Sequence, residues 1–238
     1  MEQRLIPEQY RFLSGSALKL IAAVTMIIDH VAVSFLYNSM IVLFSAGSYR
    51  LTLYNLMRAI GRLSFPLFAF LLVEGFLHTH DKKRYGLRLA IFALLSELPW
   101  NLVHTGGLFY GKQNVFFTLL TGYLALCAVE RFRGNVFMQC VCVFGLLIAA
   151  FNFEFDYSFY GFMLILLMYA LRDLPVFRAA AGICLLPSNW KGGLAFVPIA
   201  FYNGKRGFIR GKALQFAFYA FYPVHLLVIW FIKYVVQA

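Results

Sequence analysis

The sequence is poor in charge, and poorest in negative charge. Only 13% of its residues are charged, and Asp and Glu together number 10. A soluble domain carries roughly a quarter charged residues, so a water-facing globule is excluded. Cysteine is also scarce. Cys127, Cys140, Cys142 and Cys184 lie in apolar segments and form no C-x-x-C pair, which argues against a disulfide framework or a thiolate metal site and reads them as small buried hydrophobes. A Gly-rich nucleotide loop, an H-E-x-x-H zinc motif and a G-x-S-x-G nucleophile elbow are all missing. The first apolar run lacks a small-residue cleavage site, so it is expected to stay in the protein as a span.

What is abundant is apolar surface. Hydrophobic residues make up 62% of 238 residues, with 27 Phe and 14 Tyr, and the mean hydropathy is +0.75. A single domain of this size cannot bury so much, and the excess must face lipid. Nine apolar stretches run at 16–37, 60–78, 88–104, 115–130, 136–151, 159–171, 175–187, 193–203 and 213–236. A full span takes roughly 20 residues; the seventh and eighth stretches are short enough to be tilted, half-spanning or one re-entrant pair. The expectation is an all-α, single-domain, polytopic transmembrane bundle of about nine spans, eight to ten by this reading.

The formal charge of +11 reads as topology rather than as a nucleic-acid surface, because the bases sit in short clusters between apolar runs. With the N-terminus in the cytoplasm, one side holds Arg4, Arg11, Lys82, Lys83, Arg84, Arg88, Arg131, Arg133, Arg172, Arg178, Lys205, Arg206, Arg210 and Lys212. The other holds Arg50, Arg58, Lys112, Lys191 and Lys233 and the acidic loop around Glu154 and Asp156. That asymmetry predicts an N-in protein of a bacterial-type cytoplasmic membrane, with the lipid bilayer as its first partner and no nucleic acid.

Ionisable groups inside spans are costly and mark function by default. The first span carries Lys19, Asp29 and His30. Lys19 and His30 are eleven residues apart, so they share a helix face and are separated by about 16 Å. Ser16 is the expected N-cap. Arg62, Ser64 and Pro66 open the second span; Glu97, Pro99 and Asn101 lie in the third; Gln113 and Asn114 lead the fourth. The ninth carries Tyr222, Pro223 and His225, where the proline frees a carbonyl and is expected to kink the helix. Many of these groups fall in the outer half of the membrane. They line one water-filled cavity on a functional reading, and are interhelical hydrogen-bond glue on a structural one.

The segments Lys19-Leu-Ile-Ala-Ala-Val-Thr-Met-Ile-Ile-Asp29-His30, Gly61-Arg62-Leu-Ser-Phe-Pro66, Tyr85-Gly-Leu-Arg88, Leu95-Ser-Glu97-Leu-Pro99-Trp-Asn101, Gln113-Asn114, Asp156-Tyr157 and Phe221-Tyr222-Pro223-Val-His225 form an ordered set. In that set the chain resembles the TraX family, named for a membrane protein that acetylates the N-terminus of conjugative pilin. That family in turn is similar to the membrane acyltransferase-3 group, whose first span carries a base, ten residues, then His. Only Arg62 and Pro66 answer to that group's second motif.

The resemblance implies acyl transfer from acetyl-CoA, without a metal, to an acceptor such as pilin, a glycan or a lipid. On that reading Lys19, with Lys82, Lys83 and Arg84, holds the donor phosphates. His30 is the general base. Asp29 either orients His30 or pairs with Arg62 or another helix. Arg62, Tyr222 or His225 stabilises the oxyanion, and Glu97, Asn101, Gln113, Asn114 and Asp156 line the acceptor side. Two other classes share the same features: a transporter or flippase, and a non-catalytic assembly factor for pili or other surface structures.

Overall fold

A computed structural model describes residues 6–37, 39, 41–46, 49–186 and 190–236; Arg4, counted above among the cytoplasmic bases, lies outside them. The first long helix, α1, spans Gly15–Phe35. Its N-cap is Ser14, whose hydroxyl accepts from the Ala17 amide at 3.3 Å. Ser16, the cap expected from the sequence, is used otherwise. It donates to the Arg206 carbonyl and accepts from the Ile209 amide, each at 2.8 Å. The correction has a simple cause: Ser14 already satisfies the first turn, which leaves Ser16 free to stitch α1 to the segment before the last helix.

A two-stranded antiparallel hairpin follows, β1 (Val42–Ala46) and β2 (Tyr49–Thr52). The nine-stretch reading did not contain it. Thr52 then caps α2 (Leu53–Gly61), accepting from the Asn55 amide. A turn at Arg62 and Leu63 leads into α3 (Ser64–His78), where Pro66 sits in the first turn and interrupts no helical hydrogen bond. Gly61 is required by the crossing of α1 and α2: a Cβ there would collide with the Asp29 carboxylate.

Helix α4 covers Lys82–Thr105, capped by Asp81 and ended by Gly106 in the left-handed conformation at φ 72°. Four shorter apolar helices follow: α5 (Val115–Arg131), α6 (Val136–Asn152), α7 (Ser158–Ala170) and α8 (Pro175–Leu185). Asn114 and Asn135 cap α5 and α6. Two short helices come next, α9 (Trp190–Gly193) and α10 (Phe196–Ala200). They and α8 occupy the place of the expected seventh and eighth stretches. Last comes α11 (Lys212–Phe231), which runs through Pro223 without interruption and ends in a π-helical turn, Ile232–Val236.

Four helical runs are long and apolar enough to cross a membrane: Gly15–Phe35, Leu53–His78, Lys82–Thr105 and Ala213–Val236. With the exposed apolar rows described next, they make the chain a membrane protein. Helix α6 turns Phe137, Val141, Phe144, Ile148 and Phe151 outward, the pattern of a lipid-facing wall. The core lies between α1, α3, α4, α5, α7 and α11, around Phe65, Phe76, Tyr123, Ile165 and Leu226. The cysteines correct one expectation. They are free, but Cys140 and Cys184 are exposed on helix faces rather than buried, because in a lipid-facing helix an outward position is itself apolar.

The bundle has two chemically distinct ends. At the basic end, Lys82 pairs with Glu130 and lies 4.2 Å over the Phe76 ring; Phe76 meets Tyr169, and Tyr169 lies under Arg172. The start of α1 and the Arg206 carbonyl are on this end too. At the opposite end Gln113 and Phe155 form a parallel bridge, and Trp100 donates to the Lys112 carbonyl at 2.7 Å. Helices α1, α4 and α11 all start at the basic end.

Candidate functional site

Three helices bring the site together. Helix α1 supplies His30, α4 supplies Trp100 and His104, and α11 supplies Tyr222 and His225. The two histidines to which sequence reasoning gave separate roles are partners: His30 Nδ1 lies 2.8 Å from His225 Nε2, and their rings stack at 5.0 Å. Lys19 meets the same helix lower down, with its Nζ 5.6 Å from the Phe218 ring centre. The shared face of Lys19 and His30 is therefore the face turned to α11.

The protons on this pair can be assigned from their neighbours. His225 Nδ1 is 3.0 Å from the Phe221 carbonyl, which can only accept, so Nδ1 of His225 carries the hydrogen. In a neutral ring its Nε2 is then a bare lone pair. That lone pair accepts from His30 Nδ1–H. The remaining nitrogen of His30, Nε2, keeps an unprotonated lone pair. A backbone carbonyl thus fixes the tautomer of a histidine on another helix through one intervening ring.

His30 lines a cavity of about 300 Å³ together with Val33, Ser34, Tyr37, Val103, His104 and Lys233. Trp100 stands edge-on to His30 at 6.4 Å, and Tyr222 does so at 6.2 Å. His104 donates from Nδ1 to the Trp100 carbonyl at 2.8 Å and stacks on Tyr110. Among the described residues the lining contains two imidazoles and a lysine and no carboxylate, so it favours a ligand with an acidic or developing negative group.

Asp29 is not part of this pair. Its carboxylate takes the Arg58 guanidinium of α2, one of the alternatives left open by the sequence. Arg62 is directed to Tyr157, to which it is hydrogen-bonded, and toward Asp156. Asp156 sits in the loop between α6 and α7. Its Oδ1 accepts from the Tyr157 amide at 3.1 Å, its carbonyl accepts from Thr118, and its amide donates to the Gln113 carbonyl. Burial pushes its carboxyl up to about 6, against the pull of the Tyr157 amide and Arg62. Asp29, Arg58, Arg62, Tyr157 and Asp156 form one polar chain beside the histidines.

The other expected acceptor-side residues are used by the fold. The Asn114 side-chain amide donates to Glu97 at 2.6 Å and to the Ala93 carbonyl at 2.9 Å, and its oxygen caps α5. Asn101 donates to the Leu108 carbonyl, and Gln113 makes backbone bonds to Glu154 and Asp156. Ser64 donates to the Ala22 carbonyl. The bonds of Ser64 and Asn114 join helices, as the structural reading expects, while those of Asn101 and Gln113 tie loops. At the basic end Lys82 is paired with Glu130 and Arg84 with Asp81, while Lys83 is exposed.

The family model described as TraX protein matches residues 14–233. The chain belongs to the TraX family. The match takes in every site residue described above. A relative from Dichelobacter nodosus, named "Probable fimbrial assembly protein FimC, serogroup H1", is 31% identical over 240 residues, covering 90% of this chain and 93% of that protein. No solved structure matches. For this TraX protein, sequence reasoning missed Arg58, Trp100, His104, Tyr37 and Lys233. The signal for His104 was present, since it lies one helical turn after Trp100 on the same face. Lys233 and Tyr37 had no local signal, because only the packing of the ends of α1, α4 and α11 brings them to His30.

Proposed function

We propose that this chain is an integral membrane acyltransferase that moves an acetyl group from acetyl-CoA to an amine or hydroxyl of a surface acceptor, such as pilin or a cell-envelope glycan. The observation that carries the reading is the His30–His225 pair at the wall of a cavity, in a member of the TraX family. His30 Nε2 takes the proton of the acceptor N–H or O–H as its lone pair attacks the thioester carbonyl. The new C–N or C–O bond forms, the C–S bond breaks, and the imidazolium returns its proton to the leaving thiolate. His225 accepts from His30 Nδ1 throughout and stabilises the charged ring. Lys233, which borders the same cavity, would be the group to meet the oxyanion, while Tyr222 packs edge-on to His30 and His104, with its Nδ1–H given to the Trp100 carbonyl, helps to wall the cavity. Arg62 is turned toward Tyr157 and Asp156, and its role is to hold the loop wall.

The clustering of bases at one end supports a cytoplasmic N-terminus in a bacterial-type inner membrane and about nine membrane-embedded segments, some only partly spanning. Lys19 remains the charged group on the α11 face between the basic end and His30. The relative's name supports a second reading, a non-catalytic factor in fimbrial assembly. Incubating purified protein with membranes and labelled acetyl-CoA separates the two. Label transferred to an identified acceptor, and lost in His30→Ala, is the expected result. Absence of transfer with normal assembly in cells would favour the assembly role.

A further inference from the structure

A second cavity, of about 220 Å³, lies at the basic end and shares no lining residue with the first. It is enclosed by the segment before α1, by α3, by the α7–α8 turn and by α10. Three guanidiniums border it: Arg11, Arg172 and Arg178. Two of them are incompletely used. The Nε atoms of Arg11 and Arg178 are buried without a hydrogen-bond partner.

Their other contacts are weak. Arg11 is 87% buried as a side chain, and its ion pair is with exposed Glu8 at 3.8 Å. Arg178 reaches the Arg172 carbonyl at 3.5 Å and lies 5.2 Å over the Phe70 ring. Arg172 is held by the Tyr169 carbonyl at 3.0 Å. Two acids border the cavity. Asp173 has its side chain 74% exposed and leans on Arg172. Glu74 takes a hydrogen bond from Tyr202 and faces His78 at 3.9 Å. Both acids attract the Arg178 guanidinium, but neither accepts a hydrogen bond from the buried Nε of Arg11 or Arg178.

A guanidinium offers five donors in a planar fork, and burying such a donor without an acceptor is unfavourable. Among the described lining residues three guanidiniums stand against two carboxylates, a positive balance that suits an oxygen-rich anion. Phe70, Phe196, Ile6 and Ile199 give the same space apolar walls, so the anion is expected to be one end of a larger, partly apolar molecule. We propose that this cavity is a binding site for a phosphate group, gripped by Arg11 and Arg178, on a ligand whose apolar part packs against Phe70 and Phe196. Phosphate suits a pair of guanidinium forks because its oxygens can accept from more than one at once. The group belongs either to a phospholipid headgroup or to a soluble phosphate compound; the chemistry of recognition is the same. This site stands independently of the acyl-transfer reading, since it is assigned by its own side chains.

The test is direct binding to the full-length protein in neutral detergent. Inorganic phosphate is titrated calorimetrically, and retention of added phosphatidylglycerol is read by native mass spectrometry. Arg11→Gln and Arg178→Gln should each weaken binding of the phosphate-bearing probe roughly 10- to 100-fold. Arg178→Lys, which keeps the charge and loses the fork, should fall between. His30→Ala should bind as the parent does, which separates this site from the histidine cavity. Saturable phosphate binding lost in the Gln variants assigns a soluble ligand, and lipid retention lost in them with no phosphate binding assigns a headgroup. If neither probe binds, or both bind the Gln variants as they bind the parent, the proposal is wrong.

Discussion

The two ends of the bundle set their ion pairs in opposite ways. At the basic end Lys82 meets Glu130 with side chains 37% and 39% exposed, and Arg84 meets Asp81 at the surface. At the other end Asp29 and Arg58 are 15% and 22% exposed, and His30, His225 and Asp156 are drawn into the same packed region. Exposed pairs are worth little, because water solvates the partners nearly as well. A buried pair is expensive to break, because the survivor is left charged in a low-dielectric site. The lesson is that the basic end is suited to orientation and recruitment, while the histidine end is built to hold particular groups in particular protonation states.

The sharpest way to break this comparison is at His30. His30→Ala should lower acyl transfer about 10²–10⁴-fold while the protein still inserts. His225→Ala should lower it less, since the base survives with an unfixed tautomer. Nitrogen-15 NMR of His30 should then show the Nδ1–H form giving way to a mixture. Near-normal turnover in His30→Ala together with collapse in His225→Ala would reverse the two roles.

Next in size is the Asp29–Arg58 pair. Arg58→Ala strands the Asp29 carboxylate and should cost about 3–5 kcal/mol, read as a lower thermal transition in detergent. Changing both together, Asp29→Leu with Arg58→Met, should restore most of the loss. If the single and double variants unfold alike, the pair is not a buried one in the membrane.

A smaller effect should come from Asp156. Its carboxyl is raised by burial to about 6, so the folded state holds a proton that the unfolded state has released. Stability from this group is present below about pH 4 and is lost as pH rises through about 6. Asp156→Asn should flatten that part of the stability profile. An unchanged slope would show that the loop opens to water.

The smallest effect belongs to the basic end. Lys82→Ala should change stability by no more than about 1 kcal/mol and should be masked by salt. A loss as large as that of Arg58→Ala would erase the contrast between the ends.

Much of this was legible in the sequence. The eleven-residue spacing of Lys19 and His30 placed both on one face, and both do meet α11. Ser64 was readable as interhelical glue because short polar side chains in apolar helices seek backbone partners, whereas Asn101 bonds the loop after its own helix and Gln113 bonds through its backbone. The hairpin was not legible, since the apolar run from Ile41 to Phe44 follows the first helix with only a short break and has no helical or strand period of its own. Nor was the partner of Asp29. Arg58 lies in a stretch that reads as an outer loop, and only the folded α2 against α1 turns it inward. The pairing of His30 with His225 spans 195 positions in the chain, and no local pattern encodes a contact of that range.

The short helices have a mechanical consequence. Helices α6, α7 and α8 contain 17, 13 and 11 residues, or about 26, 20 and 16 Å at the α-helical rise. A typical hydrocarbon layer is about 30 Å thick. If these helices cross, the bilayer on that flank has to thin to meet them, while along the long helices α1, α4 and α11 it can keep its normal thickness. The annulus of lipid would then be uneven, with its thin sector beside the α6–α8 wall and its elastic strain concentrated there. A membrane of thicker composition raises that strain. The same wall, with its outward row from Phe137 to Phe151, is where neighbouring molecules that also thin the bilayer would be drawn together.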